Sequence, residues 1–93
     1  MKPNEEFKLE LTPKESYALN MIKGLPEDAH YLVILTKEIN GVETLVGPWK
    51  TFESLLSALH EEVEYRLSPR SRLAPICNVI EKIEAHYPEE IEF

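Results

Sequence analysis

The dipeptide Asn40-Gly41 is the feature that most restricts how this chain can fold. It separates two runs rich in apolar and β-branched residues, residues 31–39 and 42–46. Asn and Gly tolerate the positive φ angles of a two-residue type I′ turn, and such a turn joins neighbouring antiparallel strands. The sequence therefore predicts a β-hairpin over residues 31–46.

Both faces of this predicted hairpin are apolar near its base. A sheet with one face in water normally alternates apolar and polar residues, whereas this hairpin needs a cover on each face. The cover must come from the chain's own helices or from another chain. One face holds Tyr31, Val33, Leu35, Ile39, Val42, Thr44 and Val46, and the other holds Leu32, Ile34, Thr36, Glu38, Glu43 and Leu45.

Before the hairpin, the sequence predicts one strand and one helix. Apolar residues alternate with charged ones over residues 7–11, as in a half-buried strand. Thr12 as N-cap, Pro13 at the first helical position and Glu15 three residues after the cap form a capping box. They predict a helix over residues 13–23. Its buried side chains should be Tyr17, Ala18, Met21 and Ile22.

After the hairpin, the sequence predicts two amphipathic helices. Thr51 can cap a helix over residues 52–67, in which apolar residues recur every three or four positions. Residues 68–71 interrupt this pattern, and a second helix follows up to Pro88, with Pro75 in its first turn. The apolar stripes are Phe52, Leu55, Leu56, Leu59 and Val63 in the first helix, and Leu73, Ile76, Cys77, Ile80, Ile83 and Tyr87 in the second.

The predicted fold class is α+β, with the order β-α-β-β-α-α. It comprises a small antiparallel sheet built on the β-hairpin and packed against the C-terminal helices. The chain has 93 residues, enough for one core, so we expect a single small domain over residues 1–93. Its ends, near residues 1–5 and 89–93, are expected to be loose.

The charge of the chain favours one class of partner. Ten basic and seventeen acidic residues give a net charge of −7, which repels phosphate backbones and anionic lipids. We expect no nucleic-acid or membrane partner, and a basic protein surface as the preferred one. Cys77 is the single cysteine and excludes an intramolecular disulfide, and no apolar run reaches the length of a membrane span. A cytoplasmic location is therefore expected.

Residue types that carry catalysis or bind metals form no recognisable constellation. Cys77 lies in an apolar helical stripe without an adjacent base. His60 and Glu64 have the one-turn spacing of metal ligands but lack a third ligand. The three glycines all fall at predicted turns, which leaves none for a phosphate-binding loop. The sequence predicts no catalytic residue, no metal site and no cofactor, and hence no enzyme.

Arg66, Arg70 and Arg72 form a basic cluster at the break between the last two helices. A helix-turn-helix would use the last helix to contact DNA, but acidic residues on that helix repel phosphates. The favoured interpretation is that the arginines pair with the neighbouring acids Glu61, Glu62 and Glu64 or cap the carbonyls of the preceding helix. The alternative is a small anion, ligand or partner site.

Two aromatic residues and two pairs of acids are candidates for contact with a partner. Trp49 either closes the core, which is the favoured interpretation, or anchors an interface, and Tyr65 is a similar case. At the hairpin tip two glutamates lie opposite each other, which is mildly unfavourable unless solvent or a cation separates their charges. The predicted partner-binding residues are Trp49, Glu61, Glu64, Tyr65, Glu38 and Glu43.

The function that fits these features is protein binding without catalysis. The acidic charge and the apolar hairpin faces favour a small inhibitor, immunity or antidefence protein that occupies a basic surface of its target. The alternative is a homodimeric accessory or regulatory domain that binds a small ligand.

Overall fold

A computed structural model of the protein describes residues 4–86. The α+β fold class is confirmed: a small antiparallel sheet is packed with helices. The elements in chain order are β1 (Glu6–Leu11), α1 (Pro13–Asn20), α2 (Glu27–Ile34), β2 (Lys37–Ile39), β3 (Val42–Pro48), α3 (Trp49–Glu64) and α4 (Arg70–Glu84).

The sheet has β3 at its centre, between β1 and β2, and both pairings are antiparallel. Leu9 faces Leu45 across the β1–β3 pair, and both side chains belong to the core. The predicted turn is confirmed, since Asn40 and Gly41 have φ angles of 54° and 78°. These are the two positive φ angles of a type I′ turn.

The predicted extent of the hairpin is wrong. Its first strand comprises only Lys37–Ile39, whereas Tyr31 and the residues up to Ile34 belong to helix α2. Glu27 and Asp28 in the first turn favour the helix because their charge opposes the positive end of its dipole. The side chains that α2 buries have helical spacing, and they are Ala29, Leu32 and Val33.

Helix α2 covers part of the apolar sheet surface for which the sequence had indicated no definite covering element. Leu32 lies against β3, so closely that a Cβ atom on Gly47 would be 2.8 Å from Leu32 Cδ1. Leu45 is completely buried. Tyr31, Ile34 and Leu35, by contrast, remain half exposed or more, because they lie at the outer side or the end of α2.

Helix α1 has the predicted capping box but a different buried face. The Thr12 N–H donates to Glu15 Oε1 at 3.0 Å, and the Glu15 N–H donates to Thr12 Oγ1 at 3.2 Å. The helix ends at Asn20 rather than Lys23. Burial of Tyr17 and Met21 was wrongly predicted, because α1 packs on α4 through a neighbouring stripe. That stripe is Glu15, Ala18, Leu19 and Ile22.

The last two helices begin earlier than expected. Most of each predicted stripe is buried, whereas Val63, Leu73 and Cys77 are only partly buried. Helix α3 begins at Trp49 after Pro48, so Thr51 is not its cap but a buried residue of its first turn. Helix α4 begins at Arg70, which places Pro75 in the second turn instead of the first. There its missing N–H leaves one helical hydrogen bond unmade.

Two expectations concern the ends of the chain. Residues 1–3 and 87–93, which include Tyr87 and most of the expected loose ends, lie outside the described residues. Glu5 is described, and its carbonyl accepts a hydrogen bond of 2.8 Å from the Trp49 N–H. The start of β1 is therefore tied to the start of α3.

Candidate functional site

A cavity of about 380 Å³ lies where the segment that follows α1, the second half of α3 and the turn into α4 meet. Its lining combines apolar side chains with charged and hydroxyl ones. The apolar lining residues, called the apolar wall, are Met21, Ile22, Leu25, Ala58 and Leu67, and the polar ones are Lys23, Glu61, Glu62, Ser68 and Arg72.

The end of α3 shapes the polar side of this cavity. The Arg66 N–H donates to the Val63 carbonyl at 3.2 Å, and the Leu67 N–H donates to the Glu62 carbonyl at 3.0 Å. This is a Schellman motif, with Arg66 at φ 52° in the position that glycine usually takes. The turn reverses the chain, so that Ser68 Oγ donates to Glu62 Oε2 at 2.5 Å.

Glu62 is a buried carboxylate without a cationic partner among residues 4–86. It is 7% exposed, and Ser68 is the only side chain in this part of the structure that donates a hydrogen bond to it. Burial of a charged group is costly unless other groups compensate the charge. Glu62 therefore stands out from the solvent-exposed acids of α3.

Arg72 contributes an unpaired cation to the same cavity. Its Nε is buried and has no hydrogen-bond partner among the described residues. The ion pairs within residues 4–86 join Lys82 to Glu15 and His60 to Glu84, so none joins Arg72 to a carboxylate. Two opposite charges, on Glu62 and Arg72, thus line one cavity without pairing.

The predicted partner-binding residues fall in two places on the surface and one in the core. Glu61, Glu64 and Tyr65 lie together at the C-terminal end of α3, and all three are exposed. Glu38 and Glu43 are exposed and face each other across β2 and β3, as expected at a hairpin tip.

Trp49 is the predicted partner residue that lies in the core. It is 2% exposed, and its ring packs edge-on against Phe7 with a centroid distance of 5.0 Å. The structure thus supports core closure and corrects the assignment of Trp49 as an interface anchor. Its place at the first position of α3, next to the start of β1, is the reason for its burial.

The three arginines do not form one site. Arg66 and Arg70 line an open groove of about 700 Å³ whose other residues include Leu73 and Cys77, whereas Arg72 lines the cavity described above. The predicted ion pairs with Glu61, Glu62 and Glu64 are absent from the described part of the chain. Backbone N–H groups of the Schellman motif bind the terminal carbonyls of α3 instead.

The remaining candidates for metal binding or catalysis are dispersed. His60 Nε2 lies 3.0 Å from Glu84 Oε2 of α4 rather than beside Glu64. Cys77 is partly buried. Among residues 4–86, no group of three or more His, Cys, Asp or Glu side chains is arranged to hold a metal ion.

Glu62 and Ser68 were not predicted as site residues, although the sequence contained a signal for Glu62. Glu62 follows Leu55 and Leu59 by seven and three positions, and this spacing places it on the buried stripe of α3. A glutamate on an apolar stripe needs a partner or a functional reason. For Ser68 the sequence held no such signal, because its position depends on the turn after α3.

Comparison of the chain with protein-family models, with curated proteins and with solved structures found no match. Within the described residues, no helix has both the length and the apolar character needed to cross a bilayer.

Proposed function

We propose that this protein is a small acidic protein-binding module without catalytic activity, which occupies a basic surface of a target protein. The observation that carries this proposal is the exposed C-terminal end of α3. Tyr65 and Leu67 are each 65% exposed there, beside the acids Glu61 and Glu64. An aromatic and an aliphatic side chain next to charged groups are the usual components of a binding hot spot with a polar rim.

The charges around α3 support a basic target. The exposed side of α3 carries Glu53, Glu61 and Glu64. Ser54 of the same helix donates a hydrogen bond of 3.0 Å to Asp28 Oδ1, which brings the acidic first turn of α2 alongside. Together with the net charge of −7, these acids would accelerate association with a basic surface and orient it.

The hairpin tip offers a second contact for a basic partner. Glu38 and Glu43 face each other, and like charges in this position repel. A lysine or arginine placed between them would remove the repulsion. An inhibitor, immunity protein or antidefence protein that covers a basic active surface would make contacts of this kind. A cytoplasmic site of action agrees with the single cysteine.

The test uses charge-reversal variants of equal net charge. Glu61→Lys with Glu64→Lys changes the charge from −7 to −3, and the control Glu6→Lys with Glu81→Lys does the same at exposed positions outside the α3 surface. A protein captured from the native host counts as the target when wild type and control retain it and the α3 variant does not.

The interaction with that target should also depend on salt and on Tyr65. We expect affinity to fall as salt rises from about 50 to 300 mM, because screening weakens electrostatic attraction. Tyr65→Ala should weaken binding by about tenfold through lost contact area. Calorimetry that shows equal affinity for wild type and the α3 variant, at every salt concentration, would exclude the proposal.

Self-association is the second candidate function, and one surface favours it. Tyr31, Ile34 and Leu35 expose apolar side chains at the C-terminal end of α2. A second copy of the chain would bury them in a symmetric dimer. Sedimentation equilibrium at high micromolar concentration should then show a dimer that Ile34→Asp dissociates, and a wild-type monomer would contradict this candidate.

A further inference from the structure

The cavity between α1, α3 and α4 holds two opposite charges that do not neutralise each other. Among residues 4–86, the Glu62 carboxylate accepts a side-chain hydrogen bond only from Ser68, and the buried Nε of Arg72 donates none. A pair of this kind normally closes on itself, because each charge stabilises the other more strongly when water is scarce. Here both groups line one cavity and form no ion pair with each other.

We propose that this cavity binds a small zwitterion with an apolar body, the chemistry of a free α-amino acid with an apolar side chain. The ammonium group would pair with Glu62, and the carboxylate would pair with Arg72, which offers several N–H donors to a carboxylate. The exposed Lys23 and Glu61 also line the cavity and add one charge of each sign.

The charge balance of the cavity excludes the simpler ligands. A dianion such as phosphate would meet the carboxylates of Glu61 and Glu62, and a plain cation would meet Lys23 and Arg72. A ligand with one charge of each sign satisfies both sides at once. It also avoids leaving a buried charge unpaired, which is costly.

The volume and the apolar wall of the cavity determine the size and the apolar character of the ligand's side chain. A volume of about 380 Å³ lies within the range typical of small-molecule sites. Met21, Ile22, Leu25 and Leu67 supply aliphatic contacts for a side chain such as that of leucine, methionine or phenylalanine. The Schellman turn and the Ser68–Glu62 hydrogen bond hold the carboxylate in place before a ligand arrives, which lowers the entropic cost of binding.

This proposal goes beyond the protein-binding one and fails independently of it. Glu61 and Leu67 belong to both surfaces, whereas Glu64 and Tyr65, on which the protein contact also depends, do not line the cavity. Glu62 and Arg72 in turn are not needed for the contact at the end of α3.

The first experiment dissects the ligand and uses the unmodified protein. Calorimetry measures the binding of L-leucine, L-methionine and L-phenylalanine, and then of 4-methylpentanoate, which lacks the amine, 3-methylbutylamine, which lacks the carboxylate, and glycine, which lacks the side chain. At least one apolar amino acid should bind about tenfold more tightly than all three truncated compounds. No binding by any of the three amino acids, or equal binding by a singly charged analogue, would overturn the proposal.

The second experiment assigns each charge to its partner. Glu62→Gln should abolish the preference for the amino acid over 4-methylpentanoate, and Arg72→Met should abolish the preference over 3-methylbutylamine. The matched controls are Glu81→Gln and Arg70→Met, exposed residues that do not line the cavity, and both should bind like wild type. Circular dichroism establishes that each variant is folded. If Arg72→Met does not fold, the Glu62→Gln comparison decides the outcome alone, and an unchanged preference there contradicts the assignment.

Discussion

Lys82 of helix α4 forms an ion pair with the buried carboxylate of Glu15, which we call the closed pair. Arg72 of the same helix shares a cavity with the buried carboxylate of Glu62 without an ion pair among residues 4–86, and we call these two residues the open pair. Near the C-terminal end, Lys82 Nζ lies 2.6 Å from Glu15 Oε1 of α1 and donates to the Glu10 carbonyl of β1 at 3.1 Å. Near the N-terminal end, Arg72 and Glu62 line one cavity without an ion pair among residues 4–86.

The difference separates a structural ion pair from a candidate binding site. Lys82 Nζ donates to both the Glu10 carbonyl and Glu15 Oε1, so the closed pair joins β1, α1 and α4 through one ammonium group. Removing one partner of such a pair leaves an uncompensated buried charge. Glu62 and Arg72 form no such link among residues 4–86, and both line the cavity proposed to bind a ligand. The closed pair should therefore matter for stability and the open pair for binding.

The largest expected effect is the loss of the closed pair. Lys82→Met leaves the nearly buried Glu15 carboxylate without its cation and should lower the free energy of unfolding by about 3 kcal/mol. Denaturant unfolding followed by circular dichroism measures this value. The control Lys50→Met removes an exposed lysine and should change it by no more than about 0.5 kcal/mol. Equal values for both variants would mean that the closed pair stabilises nothing.

The two buried glutamates should respond differently to the same substitution. Glu15→Gln removes the charge that holds Lys82 and should cost about 1 to 2 kcal/mol of stability. Glu62→Gln can keep an oxygen acceptor for Ser68 while it removes an unpaired buried charge, so a change within about 0.5 kcal/mol is expected. Both are compared with wild type in the same unfolding experiment, and a larger loss for Glu62→Gln would reverse the assignment of the two sites.

Thr12→Ala tests the capping box that positions Glu15. Loss of the hydroxyl leaves the Glu15 N–H without its acceptor and should lower the free energy of unfolding by about 1 kcal/mol. Thr12→Ser keeps the hydroxyl and is the matched control. If the two variants unfold at the same denaturant concentration, the cap makes no contribution to stability.

The smallest effect is expected at the turn beside the open pair. Arg66 has a positive φ angle, which is unfavourable for a residue with a Cβ atom, so Arg66→Gly should raise stability by about 0.5 to 1 kcal/mol. Arg66→Ala separates the backbone effect from the side-chain effect, because alanine keeps the Cβ atom. A gain with alanine as large as that with glycine would assign the strain to the arginine side chain instead.

Several elements were predictable because their signals are local. The Asn40-Gly41 turn, the capping box around Thr12 and the apolar stripe of α3 each depend on residues within a few positions of one another. Positive φ angles, a hydroxyl at the N-cap and a repeat of three and four residues restrict the backbone wherever they occur.

Helix α2 was not predicted, because a short apolar run is compatible with either a strand or a helix. Residues 31–35 are rich in β-branched and aromatic types, which favours a strand. Pro26 followed by Glu27 and Asp28 is a helix-start signal that preceded this run. As a helix, this run packs Leu32 against Gly47 of the sheet, and the shorter hairpin still forms the Asn40-Gly41 turn. This packing decides between the two conformations.

The residues of the candidate site also fall into two groups, those that the sequence identified and those that depended on the packing of the helices. Glu61 and Arg72 were identified from the sequence by their charge, and Glu64 and Tyr65 by their exposed helical positions. The separation of Arg72 from Arg66 and Arg70, the burial of Glu62 and its hydrogen bond to Ser68 depend on how α1, α3 and α4 meet. These contacts join residues that are distant in the chain or separated by a turn whose geometry no short motif specifies.

The chain's own residue order was thus sufficient for the α+β class, the hairpin turn, one capping box and the acidic character of the surface. Those properties follow from charge, from φ preferences and from periodicity, all of which act over a few residues. The conformation of residues 31–35, the burial of Trp49 and the pairing of each buried glutamate required the packed structure. Burial and ion pairing are properties of neighbours in space, and packing alone decides which side chains become neighbours.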